Sequence, residues 1–346
     1  MPTAAKHTAP QTNWVAASAP ASSANLGCAF DCAALALNLR QTVRGALRDE
    51  PGFHVSYSGP DADRVPCDES NLVVRGILQF AAAHAKRIAG ANIEIENEIP
   101  VGVGLGSSAA ATICGLLLGA ALLGVEADRE EILSLAARTE GHPDNAAAAV
   151  HGGLVFAAAD ESTGRVLSAR TLLPREIRLL AVVPPTPTST HSSRAALPRE
   201  YSRADVVHNL QRASLLAALC FSGSAVLDPE LFRDRLHQPH RIPAVPGLAE
   251  CFQVRHPDLL GLCLSGSGSA TLAFIRGSAA EIGELLAAPF AQRGAAPFVL
   301  ALQQESRGAQ IEIADAIKLR DARARASAAA GGGSVNRTPE KILCKS

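Results

Sequence analysis

Lysine is nearly missing from this sequence. It occurs at Lys6, Lys86, Lys318, Lys341 and Lys345, and none of these stands beside a glycine-rich segment. A GKS-type phosphate loop and a lysine Schiff base are therefore both poor explanations of any activity. Aromatic residues make up only 4% of the chain and the net charge is −1, so stacking platforms and a basic field for nucleic acid are both lacking. The eight cysteines include no CxxC pair and no His/Cys metal spacing, which argues against a zinc site and a disulfide scaffold. The opening MPTAAKHTAP has no apolar core of the kind a signal peptide carries.

What the chain does have is enough apolar residue, 47% of 346, to build the cores of two ordinary domains. From Val101 to Val125 it carries no charge at all. That run is a formal candidate for a membrane span. Its front is taken up by glycines and serines, however, and its apolar part, Ala109 to Val125, is short for a bilayer core. The flanks are acidic (Glu98, Glu126, Asp128), so no Lys/Arg asymmetry sets an orientation. The expectation is a soluble, cytoplasmic chain with a buried helix here.

Periodicity gives an α+β organisation. Asn92 to Ile99 alternates isoleucine with glutamate and reads as a strand, stopped by Pro100. A helix is expected from Ser107. Another follows from an Asp128 cap, with Glu131 three residues on, through Arg138. EGHPDNAAAAVHGG reads as a loop entering a short alanine-rich helix that Gly152 and Gly153 end. LVFAAA and IRLLAVVPP read as strands, and LCLSGSGSATLAFI as a strand, a Gly/Ser turn and a second apolar stretch. From about Arg320 the composition is that of a disordered tail.

The segment GVGLGSS, between the strand and the uncharged helix, has two physical readings. A glycine-rich turn at a helix N-terminus gathers backbone N–H groups at the positive end of the dipole, which suits a phosphate. Serine hydroxyls beside it can bind a phosphate oxygen or magnesium. Alternatively, the glycines only let a buried helix pack closely. On the glycines alone both readings stand open.

The wider pattern separates them. PVGVGLGSSAAA (Pro100 to Ala111) resembles the central motif of the GHMP kinases, the superfamily of galactokinase, homoserine kinase and mevalonate kinase. APASSANLGCAFDCAALAL (Ala19 to Leu37) is similar to its N-terminal motif and LCLSGSGSATL (Leu262 to Leu272) to its C-terminal one, in the expected order. Within that superfamily, PASSANLG..FD, EGHPDN, the Ser189 to Arg194 segment and DRLHQPHR (Asp234 to Arg241) resemble the homoserine kinase group. Two departures stand out: Gly27, Cys28 and Ala29 replace the usual Gly-Pro-Gly, and SGSGSA, with Ser269, replaces the common SGAGPT.

The resemblance implies a fold and a site. The fold is a ribosomal-protein-S5-domain-2-like N-terminal domain at 13–170 and a ferredoxin-like C-terminal domain at 171–315, between extensions at 1–12 and 316–346. The ATP-binding residues are Asn71 and the loop Pro100, Val101, Gly102, Val103, Gly104, Leu105, Gly106, Ser107, Ser108, Ala109 and Ala110, which needs no Walker lysine. Ser108 and Glu140 are the implied Mg²⁺ ligands, a sparse set ordinary for this ion. For L-homoserine, Arg194 and Arg241, helped by Thr190, hold the carboxylate, for which bidentate arginine is suited. Asp31 and Asn25 take the ammonium, and Asn145, with His142 and Asp144 beside it, holds the attacking hydroxyl. Each residue alone also has a bland reading, Asp31 as a helix cap, His142 as a satisfied buried side chain, the arginines as surface charge. Asp31 and Asp144 both stay open as a base, and phosphoryl transfer asks mainly for positioning and charge neutralisation. A homodimer is the habit of the family. The rival functions are a mevalonate- or sugar-type GHMP kinase and a nucleotide-binding regulator without catalysis.

Overall fold

The computed structural model describes residues 14–186, 190–313 and 342–343. The expected N-terminal extension, Ser189 and nearly all of the expected C-terminal tail lie outside the described residues.

The first sheet begins with a long hairpin of β1 (Val15–Ala24) and β2 (Ala33–Leu47). β3 (Gly52–Ser58), α1 (Leu72–Ala83) and β4 (Gly90–Asn97) then make a crossover, with β3 and β4 parallel as an intervening helix requires. Next come α2 (Ser107–Leu123), α3 (Arg129–Glu140) and α4 (Asp144–His151), followed by the hairpin of β5 (Leu154–Ala159) and β6 (Val166–Thr171). β7 (Arg178–Val183) opens the second sheet. After it run α5 (Thr190–Ala195), α6 (Arg203–Phe221), α7 (Gln238–Arg241) and α8 (Leu248–Cys251). β8 (Leu259–Leu264), β9 (Thr271–Ile275), α9 (Ala279–Ala291) and β10 (Phe298–Leu302) complete that sheet in the antiparallel order β10-β7-β9-β8.

The chain then returns. Glu305 donates its N–H to the Ala36 carbonyl at 3.0 Å, and β11 (Gln310–Ile313) pairs antiparallel with β1. β12 (Ile342–Leu343) pairs with the outer edge of β3. The first sheet therefore runs β11-β1-β2-β4-β3-β12, with β5 on β2 and β6 on β5.

The local reasons are legible in the residues. In β4, Ile93 and Ile95 face the core and Glu96 is exposed, as alternation predicts, but the next inward position is Asn97 and the strand ends there rather than at Ile99. α2 is apolar on every side because the sheet lies on one flank and α1 on the other. Its contact with α1 is close: a Cβ on Gly115 would lie 2.3 Å from the Val73 carbonyl oxygen. The uncharged run is thus a packed core helix, and no helix among the described residues is long and apolar enough to cross a membrane. The Asp128 side chain caps α3 by accepting from Glu130 N–H. The second sheet has its own apolar cluster, in which Leu180, Val182 and Ile275 meet Ile282, Leu286 and Phe290 of α9.

Candidate active site

One cleft of about 320 Å³ runs from Tyr57, Val65, Pro66 and Asn71 at one end, past the loop before α2, to Asp31, His142, Arg194 and Arg241 at the other. The loop between β4 and α2 alternates ordinary and left-handed residues, with positive φ at Gly102, Gly104 and Gly106. Ala110 donates the first helical hydrogen bond, 3.0 Å to Gly106. The N–H groups of Ser107, Ser108 and Ala109 precede it and stand at the positive end of α2.

The loop is gripped from both sides. Asp61 accepts from Val101 N–H at 2.9 Å, and Ala270 donates to the Val103 carbonyl at 3.0 Å. The Ser265 hydroxyl donates to the Gly104 carbonyl at 2.7 Å and lies 2.8 Å from the Ser23 hydroxyl. This approach leaves no room at Gly104, where φ is +87° and a Cβ would fall 2.1 Å from the Ser265 carbonyl oxygen. The glycine-rich turn between β8 and β9 thus buttresses the loop before α2. Its Gly266 N–H also donates to Ala24, and its carbonyl accepts from Asn25 Nδ2 at 2.9 Å.

Ser108 and Glu140 come together. The Ser108 hydroxyl donates to Glu140 Oε1 at 2.7 Å, across the gap between the first turn of α2 and the last of α3. Two hard oxygens side by side at the mouth of a glycine-rich turn form a donor set that fits Mg²⁺. Asn71 lines the cleft, but its side chain is spent on the backbone: it caps α1 at Val73 N–H (2.9 Å) and donates to the Pro66 carbonyl at 2.6 Å.

At the charged end, Asn25, Leu26 and Gly27 form a left-handed run, and Asp31 follows with φ +56°. Such conformations cost free energy for non-glycine residues and persist where the surroundings hold them. Asn25 is the holder here, accepting Asp31 N–H at 3.0 Å. Asp31 is not a helix cap; both of its oxygens accept from Arg194 Nη2, at 2.8 and 2.9 Å. That pair is partly open, with side chains 38% and 30% exposed. Arg241, by contrast, is 6% exposed and makes no ion pair among the described residues. Its guanidinium donates to the carbonyls of Ser193 (3.4 Å) and Gly266 (3.2 Å) and reaches His237 Nδ1 (3.2 Å). Thr190 opens α5 and contributes a backbone position; its side chain lies outside the described residues.

Beside them, Asp144 is 1% exposed, with Oδ1 accepting from Asn145 N–H (2.7 Å) and lying 2.5 Å from His142 Nδ1. Asp144 Oδ2 is buried without a hydrogen-bond partner among the described residues. Burial pulls the His142 pKa down, but the Asp144 hydrogen bond and the charges of Asp144 and Asp31 outweigh it, so the net direction is up. Ligand-type atoms of Asp31, His142 and Asp144 lie within 4.8 Å of one another. Arg194 already holds both Asp31 oxygens, so this is a charge cluster with one guanidinium built in. Asn145 Oδ1 accepts from the Ser22 hydroxyl at 2.8 Å.

Several residues lining the cleft or packed behind it escaped the sequence reading. Phe30 stacks on His237 with centroids 5.1 Å apart and carries the guanidiniums of Arg194 and Arg241 at 5.8 and 5.4 Å from its own. Its place beside Asp31 was the available signal. Ser22 lies inside the ASSAN stretch, and His237 stands four residues before Arg241, a one-face helical spacing. Tyr57 and Asn97, joined at 2.9 Å, had no such signal.

Comparison with known proteins gives the family. The family described as GHMP kinases N terminal domain matches residues 71–153. The chain is 39% identical to the homoserine kinase of Solibacter usitatus over 86% of its own length and 97% of the relative's. It is 40% identical to that of Deinococcus radiodurans over 86% and 96%. The crystal structure of homoserine kinase from Cytophaga hutchinsonii superposes with a TM-score of 0.77 at 25% identity, covering 88% of this chain and 99% of that one. Mevalonate kinase of L. major, at 15% identity and a TM-score of 0.55, shares the fold. With an α+β fold of this kind, such coverage and these three motifs, the chain belongs to the homoserine kinase family of the GHMP kinases.

Proposed function

We propose that the chain is an ATP-dependent kinase that phosphorylates the side-chain hydroxyl of L-homoserine, giving O-phospho-L-homoserine for threonine biosynthesis. The observation that carries this reading is the charge layout of the cleft. Two carboxylates, Asp31 and Asp144, and two guanidiniums, Arg194 and Arg241, converge within one cavity that continues to the helix-terminal loop. An amino acid's paired charges match that layout; mevalonate and sugars leave the acidic half unanswered.

In this reading the residues Pro100 to Ala110 cradle the nucleotide phosphates, with Asn71 shaping the wall toward the base. Ser108 and Glu140 would hold Mg²⁺, which supplies charge neutralisation on the phosphate oxygens. Arg241, whose charge meets only neutral acceptors, takes the substrate carboxylate with Arg194 and the Thr190 segment. Asp31, oriented by Asn25, faces the ammonium, and the orphaned Asp144 Oδ2 gives it a second acceptor. Asn145 has its Oδ1 occupied by Ser22, so its Nδ2 is the group offered to the attacking oxygen, fixing that oxygen's lone pair toward the phosphate. His142 holds Asp144 in place. A homodimer and a cytoplasmic location belong to the same reading and rest on the family resemblance.

The test is ADP release with ATP and Mg²⁺ against L-homoserine, mevalonate and galactose. Turnover is expected with L-homoserine alone. Turnover with mevalonate or galactose instead would replace the substrate assignment, and nucleotide binding without turnover of any of the three would favour a non-catalytic regulator.

A further inference from the structure

Arg241 is held by the rest of its own sequence motif, and that holding has a specific chemistry. His237 is fully buried at the start of α7 and reaches in two directions. Its Nε2 lies 2.8 Å from the Gly27 carbonyl, an obligate acceptor, so Nε2 carries the proton. Nδ1 is then a bare lone pair, and it faces Arg241 Nη1 at 3.2 Å. A guanidinium has only donors, so this tautomer is the one that can accept from it.

The imidazole is itself fixed. Asp234, at the head of the turn, accepts from the N–H groups of His237 (2.8 Å) and Gln238 (2.6 Å), as a capping carboxylate does, and from Asn209 Nδ2 (2.6 Å). The imidazole plane lies against Phe30, on which Arg241 also rests. Gly27 belongs to the left-handed run that leads to Asp31. One hydrogen-bonded line therefore ties the loop bearing Asp31 to the guanidinium across the cleft. The charged groups facing His237 are Asp234, Arg241 and Asp31, and burial, ahead of them, keeps its pKa below the ordinary imidazole value.

We propose that His237 is the positioning residue of the carboxylate subsite: its unprotonated Nδ1 fixes Arg241 Nη1 and thereby decides which edge of the guanidinium is offered to the substrate carboxylate. This rests on the assignment of Arg241 to that carboxylate, so the experiment includes both residues. His237→Phe keeps the ring and its stack on Phe30 but has no acceptor. His237→Asn puts Oδ1 near the place of Nδ1 and gives up the link to Gly27. KM for L-homoserine and for ATP, kcat, ADP affinity and thermal midpoint are measured for these variants, for Arg241→Ala and for the double variant His237→Phe/Arg241→Ala.

Loss of a hydrogen bond to a charged group predicts a rise of roughly ten- to a hundredfold in homoserine KM for His237→Phe. ATP KM and ADP affinity should stay near wild type, and His237→Asn should recover most of the loss. On top of Arg241→Ala, His237→Phe should add little, because the group it positions is gone. A kcat loss with unchanged homoserine KM, failure of Asn to rescue, or additivity in the double variant overturns the proposal. If His237→Phe falls in thermal midpoint and loses ADP affinity, the Asn variant decides: restored stability without restored homoserine KM also overturns it. An unchanged homoserine KM in Arg241→Ala overturns the assignment of Arg241 instead, and is told apart from the other failures by that single variant.

Discussion

At the glycine-rich-loop end of the cleft, the Ser108 and Glu140 side chains stand beside backbone N–H groups at the head of α2, in a loop with positive φ at Gly102, Gly104 and Gly106. At the other end the groups are charged side chains, Asp31, Asp144, Arg194 and Arg241. A backbone site tolerates many side chains but no change of shape, because its donors come with the chain path. A side-chain site tolerates small shifts in the path but depends on each functional group. The backbone donors of the first end should therefore fail when atoms are added, and the side-chain groups of the second when they are removed.

The sharpest way to break that contrast is Arg241→Ala. Losing one partner of a desolvated charge pair typically costs about 2–5 kcal/mol, or roughly 30- to several-thousand-fold in kcat/KM for L-homoserine. Nucleotide affinity should remain near wild type, since the proposed nucleotide loop is separate. A fall in ATP affinity with unchanged homoserine KM would put this arginine on the nucleotide side.

Next is Gly104→Ala, the smallest possible addition. With a Cβ 2.1 Å from the Ser265 carbonyl oxygen, the loop must move away from its buttress. Displacements of about 1 Å can cost on the order of a hundredfold. ATP KM or kcat should suffer while the binding of a homoserine analogue, followed by calorimetry, changes little. Wild-type kinetics would mean that the loop has slack this packing does not suggest.

Glu140→Ala should lower kcat by at least roughly tenfold and raise the Mg²⁺ concentration needed for half-maximal rate, with the fold intact by circular dichroism. An unchanged magnesium titration would dispose of the ligand assignment.

The smallest effect concerns pH. The folded His142 pKa is raised above the ordinary 6.5, burial being outweighed by Asp144 and Asp31. The stabilisation is therefore fully present below the unfolded pKa and lost as pH rises through the folded one. The thermal midpoint of the ligand-free protein minus that of His142→Asn should be larger at about pH 6 than at about pH 9. A difference that does not vary with pH would show that the folded and unfolded pKa values coincide, and one smaller at pH 6 that folding holds His142 neutral.

What could be read from residues alone was what neighbouring residues decide. The head of α2 at Ser107, the Asp128 cap and the alternation of β4 all rest on contacts a few positions apart; the first two stand where expected, and β4 alternates as expected but closes at Asn97 rather than Ile99. The Gly/Ser turn between β8 and β9 was legible as a turn but not as the support of the loop before α2, since Ser265 meets Gly104 across 161 positions. Asn97 was hidden for another reason. An asparagine among isoleucines carries no sequence signal of burial, and its place inside rests on bonds to Tyr57 and to the Ile99 backbone. Arg194 and Arg241 looked interchangeable in sequence. Folding makes one a partly exposed partner of Asp31 and buries the other among carbonyls and rings.

The return of β11 to β1 bears on how the molecule is made. One edge of β1 pairs with β2, the next strand in the chain, but its other edge waits for Gln310–Ile313, with the whole second sheet in between. During translation the half that carries the glycine-rich loop before α2 is the earlier to emerge and the later to be closed. Until then it shows an unpaired strand edge, the feature through which partly folded chains associate. A ribosome-bound intermediate stalled before residue 310 should therefore be the form most in need of a chaperone.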